Sequence, residues 1–346
     1  MKNNIRYFVA GITAKGWTNL LMENIKQIKH IFSLQHPSKA FKTAILQKLI
    51  EHFKEEQTDV EVILNASGDQ FLEGVVVREH SLAIITDTIT PEKFAGEAFS
   101  LRFFTNIDEN MADIHPLMSE ELKEAYHYYS KALAIHEQLE AIYIGEMDFS
   151  KADDVAETFK NNVLKEINKQ STPSIIKRRF FGANTPQGPV NIVPELLERV
   201  GKRYHLKGRA GTGKSTFMRN VAEACESLHL DMEIYHCSFD PESIDMVLVP
   251  DANFCVFDST GPHTFQANHE NDYIIDLYDL TVTPGTDAKF AIEIDQLEEA
   301  YKNEIKQAAK YVKQYHEKEM EVEGAISFTD TQVVSAYHKL MKAITK

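Results

Sequence analysis

The chain is short of positive charge. Its 346 residues carry 37 Lys and Arg against 52 Asp and Glu, a formal net charge of −15. That balance argues against nucleic acid or an anionic membrane as a general partner, because both attract through basic surface. The run Lys177-Arg178-Arg179 is too short to reverse it, and arginine stops altogether after Arg219. Cysteine is scarce: Cys225, Cys237 and Cys255 are widely spaced and odd in number, which reads as reduced core thiols, not disulfides or a metal cluster. No apolar run approaches ~18 residues, so no segment is expected to span a bilayer. Met1-Lys2-Asn3-Asn4-Ile5-Arg6 leads directly into a strand pattern without a signal-peptide core. The expectation is a cytoplasmic protein whose hydrophobic fraction of 43% fills two domains.

What is present is a glycine-rich phosphate loop. Gly208-Arg209-Ala210-Gly211-Thr212-Gly213-Lys214-Ser215 fits G-x-x-x-x-G-K-[ST] without mismatch. Glycines let the backbone turn so that successive N–H groups face a triphosphate. Lys214 places an ammonium between the β- and γ-phosphates, Ser215 offers a hydroxyl to Mg²⁺, and the helix beginning there adds its positive end. The context agrees: Arg203–Lys207 reads as a strand before the loop, and Phe217–Ala224 as a helix after it. The candidate nucleotide-binding residues are Gly208, Arg209, Ala210, Gly211, Thr212, Gly213, Lys214, Ser215 and Thr216. The cofactors expected are ATP and Mg²⁺; no Asn/Thr-Lys-x-Asp guanine signature occurs.

Asn253-Phe254-Cys255-Val256-Phe257-Asp258 is an apolar run ending in a carboxylate, the pattern of a strand that holds Mg²⁺. Alone it is no more than a core strand with a polar end; its place after the loop gives it weight. Ser215 and Asp258 are thus the candidate metal ligands, and Lys214, Asp258 and Asp240 the candidate catalytic residues. Ser259 follows Asp258 where motor-type ATPases carry a second acid, so fast autonomous hydrolysis is not expected. In His236-Cys237-Ser238-Phe239-Asp240-Pro241-Glu242-Ser243-Ile244-Asp245, Asp240 and Asp245 read equally as site acids or, for Asp240, as the N-cap of an Asp-Pro helix start. Thr260 or His263 would sense the γ-phosphate, although an ordinary loop role suits His263 better. His236, His263 and His269 lack zinc-ligand spacing.

The chain also repeats itself. At an offset of 172, Phe8, Thr13, Gly16, Asn19, Leu34 and Lys42 match Phe180, Thr185, Gly188, Asn191, Leu206 and Lys214, and Thr43 stands for Ser215. At 171, Asp69, Asp87, Pro91 and Phe94 match Asp240, Asp258, Pro262 and Phe265. So long a period means tandem domains, not a solenoid. The first loop has His36, Lys39 and Phe41 where the second has Gly208, Gly211 and Gly213. Side chains there oppose both the dihedrals and the close approach to phosphate. The first half reads as a degenerate domain in which Lys42 and Thr43 retain at most weak anion binding. Taken instead as an ordinary loop, residues 36–43 still leave one functional phosphate loop.

Alternating short strands and helices predict α/β architecture: two tandem P-loop NTPase-like three-layer domains with parallel sheets, each followed by long helices. The expected divisions are 1–170, a linker at 171–176, and 177–346. The tails are expected as helices near Ser119–Ile144 and Lys151–Lys169, then Phe290–Val322 and Thr329–Ile344. Tyr126, Tyr129, Leu133, His136 and Leu139 form a stripe that packs against a sheet or the other half.

The loop, the Tyr235–Asp245 segment, Asp258-Ser259-Thr260-Gly261-Pro262-His263 and the Thr-x-x-Gly turn of each half together resemble a bacterial family of duplicated P-loop ATPases, described by analogy as ATPases or nucleotide kinases. The resemblance covers nearly the whole chain. It implies the architecture above but no substrate, and members usually keep a good first loop, which this chain lacks. Three functions follow. The favoured one is a slowly hydrolysing ATP switch with its site in the second half. The runner-up is a small-molecule or nucleotide kinase with Asp240 or Asp245 as base, and the third a non-catalytic nucleotide-binding module. The partners expected are the nucleotide and an unidentified protein or small-molecule acceptor. A nucleotide-kinase lid would carry arginines beyond residue 219, and there are none; Lys289 is the nearest substitute. A finger must come from Arg209, Arg178 or Arg179, or from Arg78 or Arg102 of the first half.

Overall fold

A computed structural model describes residues 5–68, 70–91, 99–103, 119–261 and 265–345. The first half runs β1 (Ile5–Tyr7), the hairpin β2 (Ala10–Thr13) and β3 (Gly16–Asn19), α1 (Leu21–Ile25), β4 (His30–Gln35), α2 (Lys39–Glu55), β5 (Glu61–Leu64), β6 (Leu72–Val77), β7 (Leu82–Thr86) and β8 (Phe99–Arg102). Helices α3 (Glu120–Gly145) and α4 (Phe149–Leu164) complete it. The second half repeats the series with β9 (Ile176–Phe180), β10 (Gly182–Thr185), β11 (Gly188–Asn191), α5 (Val193–Leu197), β12 (Lys202–Lys207), α6 (Lys214–Ser227), β13 (Met232–His236), β14 (Ile244–Val249), β15 (Phe254–Asp258) and β16 (Asp272–Asp276). The short α7 (Leu277–Thr281) and α8 (Thr286–Lys289) lead into α9 (Ala291–Ala325) and α10 (Asp330–Ile344).

The two six-stranded sheets have one topology: β1-β5-β6-β7-β4-β8 and β9-β13-β14-β15-β12-β16. The offset of 172 carries β4 onto β12, β6 onto β14 and β7 onto β15 residue for residue. This corrects the 171-residue alignment at the acid. Leu34 pairs with Thr86 as Leu206 pairs with Asp258, so Thr86 holds the strand position of Asp258 and Asp87 lies one residue beyond it. Asp69, Phe94, Pro262 and His263 lie outside the described residues.

The sheets are mixed, not purely parallel. β6 and β14 run antiparallel to both neighbours. A parallel crossover needs a dozen or more residues, and the segments joining Leu64 to Leu72 and His236 to Ile244 are shorter than that. The apolar run Ile244-Asp245-Met246-Val247-Leu248-Val249 is a fully buried strand. No helix starts at Asp240. Its carboxylate accepts from Glu242 N–H (3.2 Å), and Ser243 N–H returns to its carbonyl (3.0 Å), closing a turn.

The tails cross between the halves. Phe159 and Leu164 of α4 pack with Phe217, Val221 and Phe254 of the second half. Val333 and Leu340 of α10 join the core that holds Phe41 and Ile45 of α2. Between them α3 lies along α9, with Leu122, Ala125 and Tyr129 against Ala308, Val312 and Tyr315. The aromatic stripe of α3 is therefore packing surface. Among the described residues no helix is long and apolar enough to cross a membrane.

Candidate functional site

Strand β12 ends at the glycine loop and α6 begins at Lys214, so strand, loop and helix follow as the spacing predicts. Gly213 stands before the helix at φ +80°, where a side chain is disfavoured. Gly211 has φ +73° and a second constraint: a Cβ there would lie 2.4 Å from the carbonyl oxygen of Glu140 in α3. The first half's tail helix thus lies directly on the second half's loop. Thr212 is buried, its hydroxyl donating to Arg209 O (2.9 Å), while Thr216 is exposed.

β15 neighbours β12, which brings Asp258 to the loop. Lys214 Nζ lies 3.6 Å from Asp258 Oδ2 and donates to Arg209 O at 2.7 Å. The other carboxylate oxygen is held by the N–H (2.9 Å) and hydroxyl of Thr260. Ser215 Oγ accepts from Ile244 N–H at 2.9 Å, which fixes the hydroxyl against β14. The next residue of that strand, Asp245, is buried. Burial, then the charge of Asp258, pushes its carboxyl up to about 7, with the Cys237 thiol and Lys214 acting the other way. A hydroxyl and carboxylates are hard oxygen donors of the kind Mg²⁺ takes. The described residues contain no group of three or more His, Cys, Asp or Glu that would hold a metal unaided, so phosphate oxygens and water would have to complete the shell.

Asp240 is half-buried in the turn between β13 and β14. Its partner there, missed in the sequence, is Lys15 of the first half. Lys15 Nζ lies 3.6 Å from Asp240 and 2.6 Å from Glu242, while Ala14 N–H donates to Phe239 O at 2.8 Å. Lys15 occupies the first Thr-x-x-Gly turn, and Gln187 at the matching place is uncharged. That asymmetry was its only signal.

The cations considered as fingers are engaged elsewhere. Arg209 pairs with Asp287 (3.0 Å) and lies over the Tyr278 ring; Tyr143 of α3 donates to the same Asp287 (3.0 Å). Lys289 pairs with Glu146 at 2.5 Å. Arg78 and Arg179 both bind Glu61. Arg178 lies 3.0 Å from His236 Nε2, and Arg102 bonds Gln35 at the edge of the first sheet. Cys225 and Cys255 are buried free thiols pushed up to about 12 by burial, and Cys237 is also free.

In the first half the loop has closed up. Without glycines, residues 39–41 take helical geometry and α2 starts a turn earlier than α6, capped by Ser38, which accepts from Phe41 N–H. His36 and Phe41 are buried, and burial lowers His36 to about 4. Lys42 is spent on Asp87. Thr43 Oγ1 accepts from Leu72 N–H (3.0 Å), the counterpart of the Ser215 bond. No family model, curated protein or solved structure matches the chain.

Proposed function

We propose that the chain binds Mg·ATP at the P-loop of its second half and hydrolyses it slowly, as a nucleotide-dependent switch. The observation that carries this reading is Lys214 held 3.6 Å from Asp258 at the end of an unmismatched phosphate-loop sequence. In this reading residues 208–216 cradle the phosphates through backbone N–H groups, and Lys214 leaves Arg209 O to meet them. Mg²⁺, held by Ser215 and Asp258 together with the phosphates, would neutralise charge on the transferring phosphoryl group. Turnover is slow because Ser259 supplies no second acid and Arg209, the arginine of the loop itself, is held by Asp287. A switch role is supported by the first half's tail lying on the loop, since Glu140 and Met147 border Gly211 and Gly213.

A kinase is the second reading. Its support is Asp245, a buried carboxyl shifted to about 7 beside Asp258, which suits a base working near neutrality. The phosphoryl acceptor would then be a small hydroxyl-bearing molecule. Neither reading involves nucleic acid or membrane.

Nucleotide turnover by the purified full chain, with and without candidate acceptors, separates the readings. Slow acceptor-independent release of phosphate supports the switch. Turnover only with an acceptor means kinase, and binding without turnover means a binding module. Asp258→Asn is expected to weaken ATP binding in Mg²⁺ far more than in EDTA; equal loss in both would remove Asp258 from the metal.

A further inference from the structure

The degenerate loop of the first half is not bare. Glu323, in the last turns of α9, reaches back across the molecule to it. Its carboxylate accepts from Lys39 N–H at 2.8 Å, from Ala40 N–H at 3.0 Å and from the Ser38 hydroxyl. One turn earlier, Glu319 takes Lys39 Nζ at 2.5 Å. That ion pair is nearly enclosed, and Lys39 followed by His316 holds the Glu319 carboxyl down to about 2. A cavity of about 30 Å³ lies beside them, bordered by Lys39, Lys42, Phe71 and Met320.

Two successive backbone N–H groups and a hydroxyl converging on the two oxygens of Glu323 at the start of a seventeen-residue helix, with Lys39 Nζ alongside on Glu319, make an anion cradle. Ser38, Lys39 and Ala40 stand, at the offset of 172, where Ala210, Gly211 and Thr212 form the middle of the second loop. Among the described residues no side-chain carboxylate accepts from a backbone N–H of residues 208–213. The two loops therefore differ in a specific way: one carries an anion supplied by its own chain.

We propose that the degenerate loop is still an anion-binding site, that its resident anion is the Glu323 carboxylate, and that inorganic phosphate takes its place when that carboxylate is removed. The loop did not lose its ligand class when it lost its glycines. Shorter backbone reach excludes a triphosphate but admits a carboxylate, which needs two or three donors. The contact also fixes the far end of α9, whose middle lies against α3. The first half thus serves as the socket for the second half's tail.

The test is chemical rescue in the full chain, in a Lys214→Ala background that silences the other loop. Glu323→Ala is expected to lower Tm in chloride buffer. Inorganic phosphate at matched ionic strength then restores it saturably, by about 2–4 °C. The parent chain shows no saturable response. Adding Lys39→Met to Glu323→Ala is expected to abolish the rescue. Glu323→Gln keeps the side chain's bulk, so its phosphate response stands in if the alanine variant does not fold. Equal phosphate responses in parent and variant, or none in either variant, would overturn the proposal.

Discussion

Phe180 N–H donates to Phe8 O at 2.9 Å, in an antiparallel bridge between residues that occupy the same place in the two repeats. The pairs around them are also self-equivalent. Asn184 donates to Ile12 O at 2.9 Å, and the Arg179 guanidinium lies 3.6 Å from the centre of the Tyr7 ring. A local two-fold axis therefore passes between Phe8 and Phe180, as in an isologous dimer. The two sides are not identical. A homodimer would set tyrosine on tyrosine or arginine on arginine there. This chain sets a cation on a ring, and uses the same arginine to bridge the equivalent acids Glu61 and Glu233, both at 2.9 Å.

That bridge gives the first prediction. Arg179 is wholly buried, and both acids are buried. Removing one partner of a buried ion pair typically costs about 3–5 kcal/mol, because the other charges stay behind. Arg179→Met is expected to fall in that range by urea denaturation. Arg78, Lys177 and Arg199 still face the acids, so a loss under about 1 kcal/mol would mean that they suffice. The pH dependence has a definite sign. Arg179 and Arg199 hold Glu233 down to about 2, and Arg179, Arg78 and Lys177 hold Glu61 lower still. For acids depressed in the fold, stability is present above the unfolded value near 4.5 and is lost as pH falls towards 2. Tm should drop across that window, and in Arg179→Met, where the acids are held down less, the drop should be smaller.

The two lysines of the two loops should behave differently. Lys214→Ala removes the ammonium proposed to meet the phosphates, so Mg·ATP binding should be lost. Lys42 is buried against Asp87. Lys42→Ala should leave nucleotide binding nearly unchanged while lowering Tm, because Asp87 loses its partner. Calorimetric titration that finds two equivalent tight sites in the parent chain would sink the one-site reading.

How much of this was legible depends on the physical scale of the signal. The strand, loop and helix at residues 202–227 were readable because a glycine-rich loop between a strand and a helix constrains its own residues locally. The offset of 172 was readable because a core pattern survives duplication even where glycines do not. The antiparallel strands are not legible: Ile244–Val249 is buried on both faces, and Asp245 within it reads as a site acid and hides the strand pattern. Lys15, Glu140 and Glu323 could not be found by spacing. Each acts on the opposite half: α3 carries Glu140 there, α9 carries Glu323, and the turn between β2 and β3 carries Lys15.

Asp245 supplies a pH prediction independent of ligand identity. Its carboxyl sits at about 7 in the fold against an ordinary 3.8, from burial first and then Asp258. Raised in the fold, it contributes stability that is full below 3.8 and lost as pH rises through 7. Asp245→Asn should flatten that slope between pH 5 and 8, estimated as about one pKa-linked step. If Asp245 is also a base, parent turnover should rise with an inflection near 7 that the variant lacks. A flat rate profile with a sloping stability profile would confine Asp245 to a structural role.

The contact between α3 and the glycine loop can be tested without any nucleotide. Gly211 and Gly213 both have positive φ, +73° and +80°. An alanine at either pays a left-handed backbone penalty of roughly 1–2 kcal/mol. They differ in surroundings. At Gly213 the nearest neighbour of a new Cβ is the flexible Met147 Cε at 3.4 Å. At Gly211 it meets main-chain atoms of Glu140, the oxygen at 2.4 Å and Cα at 2.8 Å. A helix backbone cannot swing aside as a methionine can, so α3 itself must move. Gly211→Ala should therefore cost about 1–3 kcal/mol more than Gly213→Ala, the usual penalty for overpacking. Protease protection of α3 near Glu140 should weaken in the first variant only. Equal losses in the two variants would mean that α3 does not lie on the loop in solution, and the switch reading would lose its structural support.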